Sequence, residues 1–239
     1  MIPIHIHSQP DDVTCGPTSL HAIYQYYNDN IPLTQVIQEV AYLEEGGTLA
    51  ALLGCHALQR GYSAELYSYN LQIFDPSWFR DPAISLEDKL QQQIAIKTKR
   101  KLLNANKAYL KFLKAGGTIK HDNLTPHLLR RYFQKKIPVL AGLSATYLYQ
   151  CPREYTMPDN RLIRDDIRGE PTGHFVVLCG YDDEKNHIII ADPLKHYFAN
   201  TNYGVKVWHL INAIMLGILT YDANLLIIQP KNSLERAIL

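Results

Sequence analysis

The chain predicts an α+β fold, an N-terminal helical part packed on an antiparallel β-sheet with a helical insertion. Three observations carry this. Apolar residues recur at helical spacing through the first sixty positions, with Leu20, Ile23, Tyr24 and Tyr27 on one stripe. Residues 173–181 and 187–193 form two apolar runs joined by the polar turn Asp182-Asp183-Glu184-Lys185-Asn186, the pattern of an antiparallel hairpin. Between these regions, Leu86, Leu90 and Ile94 recur at four-residue steps and a lysine-rich run follows. At 239 residues the chain reads as one domain, 1–239, with the helical insertion at about 72–120.

The elements follow in order. Ile2, Ile4 and Ile6 alternate with Pro3, His5 and His7, which predicts a short half-buried strand with the two histidines on its exposed side. Two histidines are too few ligands for a structural metal site, and no metal is expected. A helix starts at Cys15-Gly16-Pro17 and ends at Asn28-Asp29-Asn30. Pro17 suits a first helical turn because its missing N–H would be unpaired there. A second helix is expected near Thr34. A third follows Gly46-Gly47-Thr48, with Leu49, Leu52, Leu53 and His56 on one face, and Gly61 closes it ahead of a strand over Ser63 to Tyr69.

Ser85-Leu86-Glu87-Asp88 has the form of a capping box and opens the inserted helical part. Lys97, Lys99, Arg100, Lys101, Lys107, Lys111 and Lys114 make it basic, and Ala115-Gly116-Gly117 stops it. A solvated helical face explains such a run, and an acidic protein partner docking there is the alternative. The helical pair is expected to cap the core beside the substrate cleft. Thr125-Pro126 begins another helix with Leu128, Leu129, Tyr132 and Phe133 inward, and Val139 to Leu143 is a buried strand. Tyr147 to Thr172 is irregular, tyrosine-rich and charged; a loop of this length leading into His174 is read as substrate-facing. Val205-Lys206-Val207-Trp208, a helix to Leu219 and a strand from Leu225 to Ile228 complete the core.

Four residues in this framework supply the parts of a thiol-based catalyst. Cys15 stands at a helix N-terminus, whose partial positive charge favours a thiolate. Gly16 lets the backbone come close to a bound group. His174 opens one strand of the predicted hairpin, and Asp192 closes the other just before Pro193. The start of one strand and the end of its antiparallel neighbour share an end of the sheet. Counting from the turn does not set them opposite each other, so a bulge or a diagonal contact is required. His174 is then the base and acid, Asp192 the group that orients it, and Gln9 an oxyanion donor beside the backbone N–H of Cys15.

With Gln9, Cys15-Gly16-Pro17, Gly173-His174-Phe175-Val176-Val177-Leu178 and Ala191-Asp192-Pro193 in this order, the chain resembles the papain-like cysteine peptidases of family C-thirty-nine, which cut double-glycine leaders from bacteriocin precursors, and their free-standing relatives. The stretches Gly47-Thr48 to Gly61-Tyr62 and Lys136 to Gly142 also look family-like. The resemblance implies a papain-like fold and the roles of nucleophile for Cys15, base for His174, orienting carboxylate for Asp192 and oxyanion donor for Gln9. The chain departs from the family in three ways. It has no transporter segments, it has Thr14 where aspartate is common, and it has long insertions near 72–120 and 147–172.

Composition bounds the remaining choices. A hydrophobic share of 46% supports a sizeable core, and a net charge of +1 argues against a general nucleic-acid or membrane-surface protein. No signal peptide and no apolar run of about 18 residues is read, so no membrane segment is expected. The four cysteines are widely and irregularly spaced, which reads as free thiols in a reducing, cytoplasmic setting without a zinc site. The expected activity is a cysteine peptidase or amidohydrolase acting on a peptide or protein substrate without a cofactor. The alternatives are an acyltransferase using the same thioester and a silent peptide-binding module.

Overall fold

A computed structural model describes residues 1–43, 47–159, 161–194 and 201–231. Gly46, expected in the turn before the third helix, lies outside the described residues, as does the C-terminal end of the expected domain.

Helix α1 (Cys15–Tyr26) starts on the cysteine. It ends where Asn28 enters the left-handed region at φ 59° and the Asp29 N–H reaches back to the Tyr24 carbonyl at 2.9 Å. The Asp29 carboxylate then accepts two hydrogen bonds from Arg60 and one from Tyr62, clamping the end of α1 to the strand that follows the next two helices. Those helices are α2 (Leu33–Glu39) and α3 (Ala50–Gln59), and the strand is β1 (Tyr62–Ser68). α4 (Leu86–Ile96) is capped as the sequence indicates, Ser85 Oγ accepting from the Asp88 N–H at 3.2 Å. The basic run falls on α5 (Arg100–Lys114). After β2 (Thr118–Lys120), α6 (Pro126–Gln134) is capped by Thr125 and buries Leu128, Leu129, Tyr132 and Phe133.

β3 (Val139–Ser144), β6 (Gly173–Asp182), β7 (His187–Ala191), β8 (Asn202–Lys206) and β9 (Asn224–Pro230) join β1 and β2 in a seven-stranded sheet of order β2-β1-β9-β3-β6-β7-β8. All its pairs are antiparallel except β1–β2, which is parallel, so the sheet is mixed. The reason lies in the connection. Parallel neighbours need a long crossover, and the α4–α5 pair supplies it between β1 and β2. α1 packs on β6 and α3 on β1 and β9, while α8 (Val207–Leu216) packs on β3. One core cluster runs through these layers, with Tyr24, Leu53, Tyr67, Phe74 and Phe112 fully buried.

Three expectations change. Residues 1–9 are not a strand, although Ile2 and Ile4 are buried. β6 is already flanked by β3 and β7, so the N-terminal segment has no sheet edge there to join; its Ile2 N–H bonds the Cys179 carbonyl at 2.7 Å instead. The 147–172 stretch is not irregular throughout. It takes in the end of α7 (Ala145–Tyr149) and a separate hairpin of β4 (Glu154–Thr156) and β5 (Leu162–Arg164). Finally, Val207-Trp208 begins α8 rather than extending a strand, and the helix tightens to a 3₁₀ turn over Gly217–Thr220. Among the described residues no helix is long and apolar enough to cross a membrane.

Candidate active site

The β6–β7 hairpin decides whether His174 and Asp192 meet. Near the turn Asp182 pairs with His187 and Gly180 with Ile189, but the register shifts at Cys179, so Leu178 pairs with Ile190 and Val177 with Ala191. Carried one step further, the shifted register sets Asp192 opposite Val176, on the same face as His174 and diagonal to it. Without the extra residue Asp192 would lie opposite Val177, on the other face, because side chains alternate along a strand. The bulge and the diagonal contact anticipated from the sequence therefore occur together.

His174 Nε2 donates to Asp192 Oδ1 at 2.9 Å, with His174 4% and Asp192 0% exposed. Every acceptor direction of the carboxylate is used. Oδ1 also accepts from the Leu194 N–H at 2.9 Å, and Oδ2 accepts from Tyr149 at 2.8 Å and Tyr203 at 2.5 Å. Burial by itself favours the protonated acid, but His174, Tyr203 and the Leu194 N–H hold Asp192 below the usual carboxylate range. Burial and the neighbouring carboxylate raise both tyrosines, so they remain O–H donors. Tyr149 also lies against the imidazole, ring centroids 5.9 Å apart. Burial, the largest single influence, would lower the His174 pKa; the charge and hydrogen bond of Asp192, together with the hydrogen bonding and charge of Cys15, outweigh it and push it up to about 10. Since Nε2 is taken by Asp192, Nδ1 is the ring nitrogen left for the Cys15 sulfur.

Cys15 is half-buried at the first position of α1. One turn later Ser19 Oγ donates to the Phe175 carbonyl at 3.0 Å, fixing the helix to the strand that carries His174. Gly16 serves this packing. A Cβ there would lie 2.7 Å from Thr48 Cγ2 and 3.2 Å from both Leu53 and Phe175, so the space expected for a bound group is filled by the protein's own side chains. Thr14 is buried and its hydroxyl donates to the Asp11 carbonyl at 3.3 Å.

Gln9 sits beside the hairpin end, its N–H bonded to the Pro193 carbonyl at 3.1 Å. Its side-chain amide donates to the Asp11 carbonyl at 2.7 Å, and among the described residues no hydrogen bond joins it to Cys15. The structure thus bonds His174 to Asp192, sets Cys15 near enough to act on the imidazole, and leaves Gln9 adjacent but engaged elsewhere.

A cleft of about 300 Å³ opens at Cys15, lined among others by Thr48, Lys101, Gly173, Thr220 and Asp222. Lys101 comes from α5, so one helix of the inserted pair borders the cleft. Sequence reasoning missed Tyr203, Lys101 as a cleft residue, and Asp222. Tyr149 lay in a segment marked by its tyrosines, but nothing local tied it to Asp192. Among the described residues no group of three or more His, Cys, Asp or Glu is arranged to hold a metal.

The profile of the Peptidase C39-like family matches residues 1–213. Among solved structures, a C39-like peptidase from Bacillus anthracis aligns with a TM-score of 0.50 at 14% identity, over 96% of this chain and 96% of that chain. A double glycine motif protease from an AMS/PCAT transporter, in complex with the leader peptide, aligns with a TM-score of 0.45 at 15% identity, over 96% of this chain and 94% of that one. Xylellain, a cysteine protease from Xylella fastidiosa, gives a TM-score of 0.39 at 13% identity, over 96% of this chain and 84% of that one. No curated protein matches the chain.

Proposed function

The chain belongs to the Peptidase C39-like family, and from that premise we propose that it is a cysteine peptidase cleaving a peptide or amide bond. The observation that carries the reading is the position of His174, bonded to Asp192 through Nε2 at 2.9 Å and close enough to Cys15 for the sulfur's hydrogen bonding and charge to raise its pKa.

In this reading His174 is already the imidazolium, holding on Nδ1 the proton given up by the Cys15 thiol, and the sulfur attacks the substrate carbonyl carbon, forming a C–S bond. The oxyanion is met by the backbone N–H of Cys15 and by the Gln9 side-chain amide, which releases the Asp11 carbonyl to turn inward. The C–N bond breaks as His174 passes its proton to the leaving amine. Water then gives a proton to His174, attacks the thioester and releases the acid, restoring the thiolate–imidazolium pair. Asp192 stays ionised throughout and holds the ring in one tautomer. α5 of the inserted pair contributes Lys101 to the wall of the cleft. The half-buried sulfur on an open cleft favours water over a second amine as the acceptor.

A peptidyl electrophile tests the reading. It should label Cys15 alone; Cys15→Ala should abolish labelling and peptide hydrolysis while leaving the thermal midpoint near that of the parent, and His174→Ala should abolish both and lower the midpoint, because it leaves the buried Asp192 carboxylate without its partner. Hydrolysis that survives Cys15→Ala would overturn it.

A further inference from the structure

Asp222 is a buried carboxyl in the wall of the Cys15 cleft, 6% exposed, and the catalytic reading gives it no role. The backbone is shaped to put it there. Tyr221 takes a left-handed φ of 69°, unusual for a large residue, and the Asp222 N–H turns back to the Gly217 carbonyl at 2.8 Å. Position 173 is glycine, and any side chain there would occupy the space of the Asp222 carboxylate. The carboxyl therefore lies against the strand that begins with His174. Among the described residues no cation comes within ion-pair distance of it. Lys101 acts on it only through its field, its exposed ammonium lying over the Tyr221 ring at 5.1 Å from the centroid.

Resting on the peptidase reading, we propose that Asp222 is the specificity-determining residue of the cleft and that the cleft receives a substrate side chain ending in an ammonium or guanidinium group. A buried carboxyl without an ion partner gains most from a ligand that brings one. Lys101, on the exposed rim, competes for the same charge and swings aside when the ligand enters. Burial raises the Asp222 pKa to about 7, against the Thr220 hydroxyl and the positive charges of Lys101 and His174, which lower it. The buried Tyr109 of α5 lies within range of its charge, and Asp12 and Cys15 also line the cleft. Preference for a cationic side chain should therefore rise with pH across 7, as the carboxyl ionises.

Two measurements test this independently. First, n-butylammonium, with n-butanol as the neutral control, is titrated into the Cys15→Ala protein at constant ionic strength and pH 8. The ammonium should bind in preference to the alcohol, Asp222→Asn should weaken it about tenfold or more, and Lys101→Gln should tighten it. Second, peptides differing only by lysine or norleucine near the cut are compared by kcat/KM in the active protein. The ratio should fall about tenfold in Asp222→Asn and rise in Lys101→Gln. Lys101 is exposed, so that variant stands even if Asp222→Asn fails to fold. Ammonium binding that depends on Asp222 in a protein that cleaves nothing upholds the cleft assignment and removes the peptidase reading. Cleavage with an unchanged ratio and no ammonium preference overturns the assignment and leaves the peptidase reading intact.

Discussion

Ser19 donates its hydroxyl to the carbonyl of Phe175 at 3.0 Å, one helical turn beyond Cys15 and one residue beyond His174. This buried bond ties the cysteine's helix directly to the histidine's strand. Ser19→Ala leaves the Phe175 carbonyl without that donor, so stability should fall by about 1–2 kcal/mol in denaturant unfolding. The electrophile labelling rate of Cys15 should fall with it. An unchanged midpoint and an unchanged rate together would show that the bond does not set the distance between sulfur and ring.

Tyr149 and Tyr203 share Asp192 Oδ2, at 2.8 and 2.5 Å. Tyr149→Phe removes one donor from a carboxylate with no access to water, and the freed oxygen is expected to loosen the grip on His174. The expected loss in kcat/KM is about tenfold, with a larger loss in the Tyr149→Phe/Tyr203→Phe pair. Steady-state kinetics of the two variants read this out; wild-type activity in the double variant would mean that His174 and the Leu194 N–H suffice to orient the carboxylate.

The pH dependence has a defined sign. The folded-state pKa of His174 is raised from 6.5 to about 10, so the imidazolium's contribution to stability is complete below 6.5 and is lost as pH climbs toward 10. The alkaline limb of peptide hydrolysis should lie at that upper end. Asp192→Asn removes the charge that raises it, so the limb should move down by about a unit or more. A pH–rate profile in which the limb stays put would assign it to another group.

Gly16→Ala would place a Cβ 2.7 Å from Thr48 Cγ2. The start of α1 must shift to relieve this, at a cost of about 1–3 kcal/mol, and Cys15 shifts with it. Thr48→Ser removes the crowded methyl and should restore part of both stability and labelling. Equal losses with and without Thr48→Ser would place the strain at Leu53 and Phe175 instead.

What was legible in the sequence was what is encoded locally. The caps at Ser85 and Thr125, the stripe on α6 and the all-buried β3 follow from residues a few positions apart. The Cys15, His174 and Asp192 constellation was readable because each residue sits at an element's end. The parallel strand β2 was missed because three residues with one buried side chain carry no periodic signal. The 1–9 segment has the alternation of a strand, but ladder formation depends on a free edge, which only the whole sheet determines. Tyr203 and Asp222 were missed for a related reason. Each acquires its environment from chain more than ten residues away, Asp192 for one and Gly173 with Lys101 for the other.

The extra residue at Cys179 makes the count of amino acids between His174 and Asp192 a matter of odd and even. A change of one residue within either strand of that hairpin, with the turn unchanged, would direct the carboxylate to the reverse side of the sheet and away from His174, though no reactive group had been altered. Changes of two would keep the parity. Natural variation in this hairpin should therefore come in pairs of residues wherever the chemistry is retained, and in single steps only where it has been abandoned.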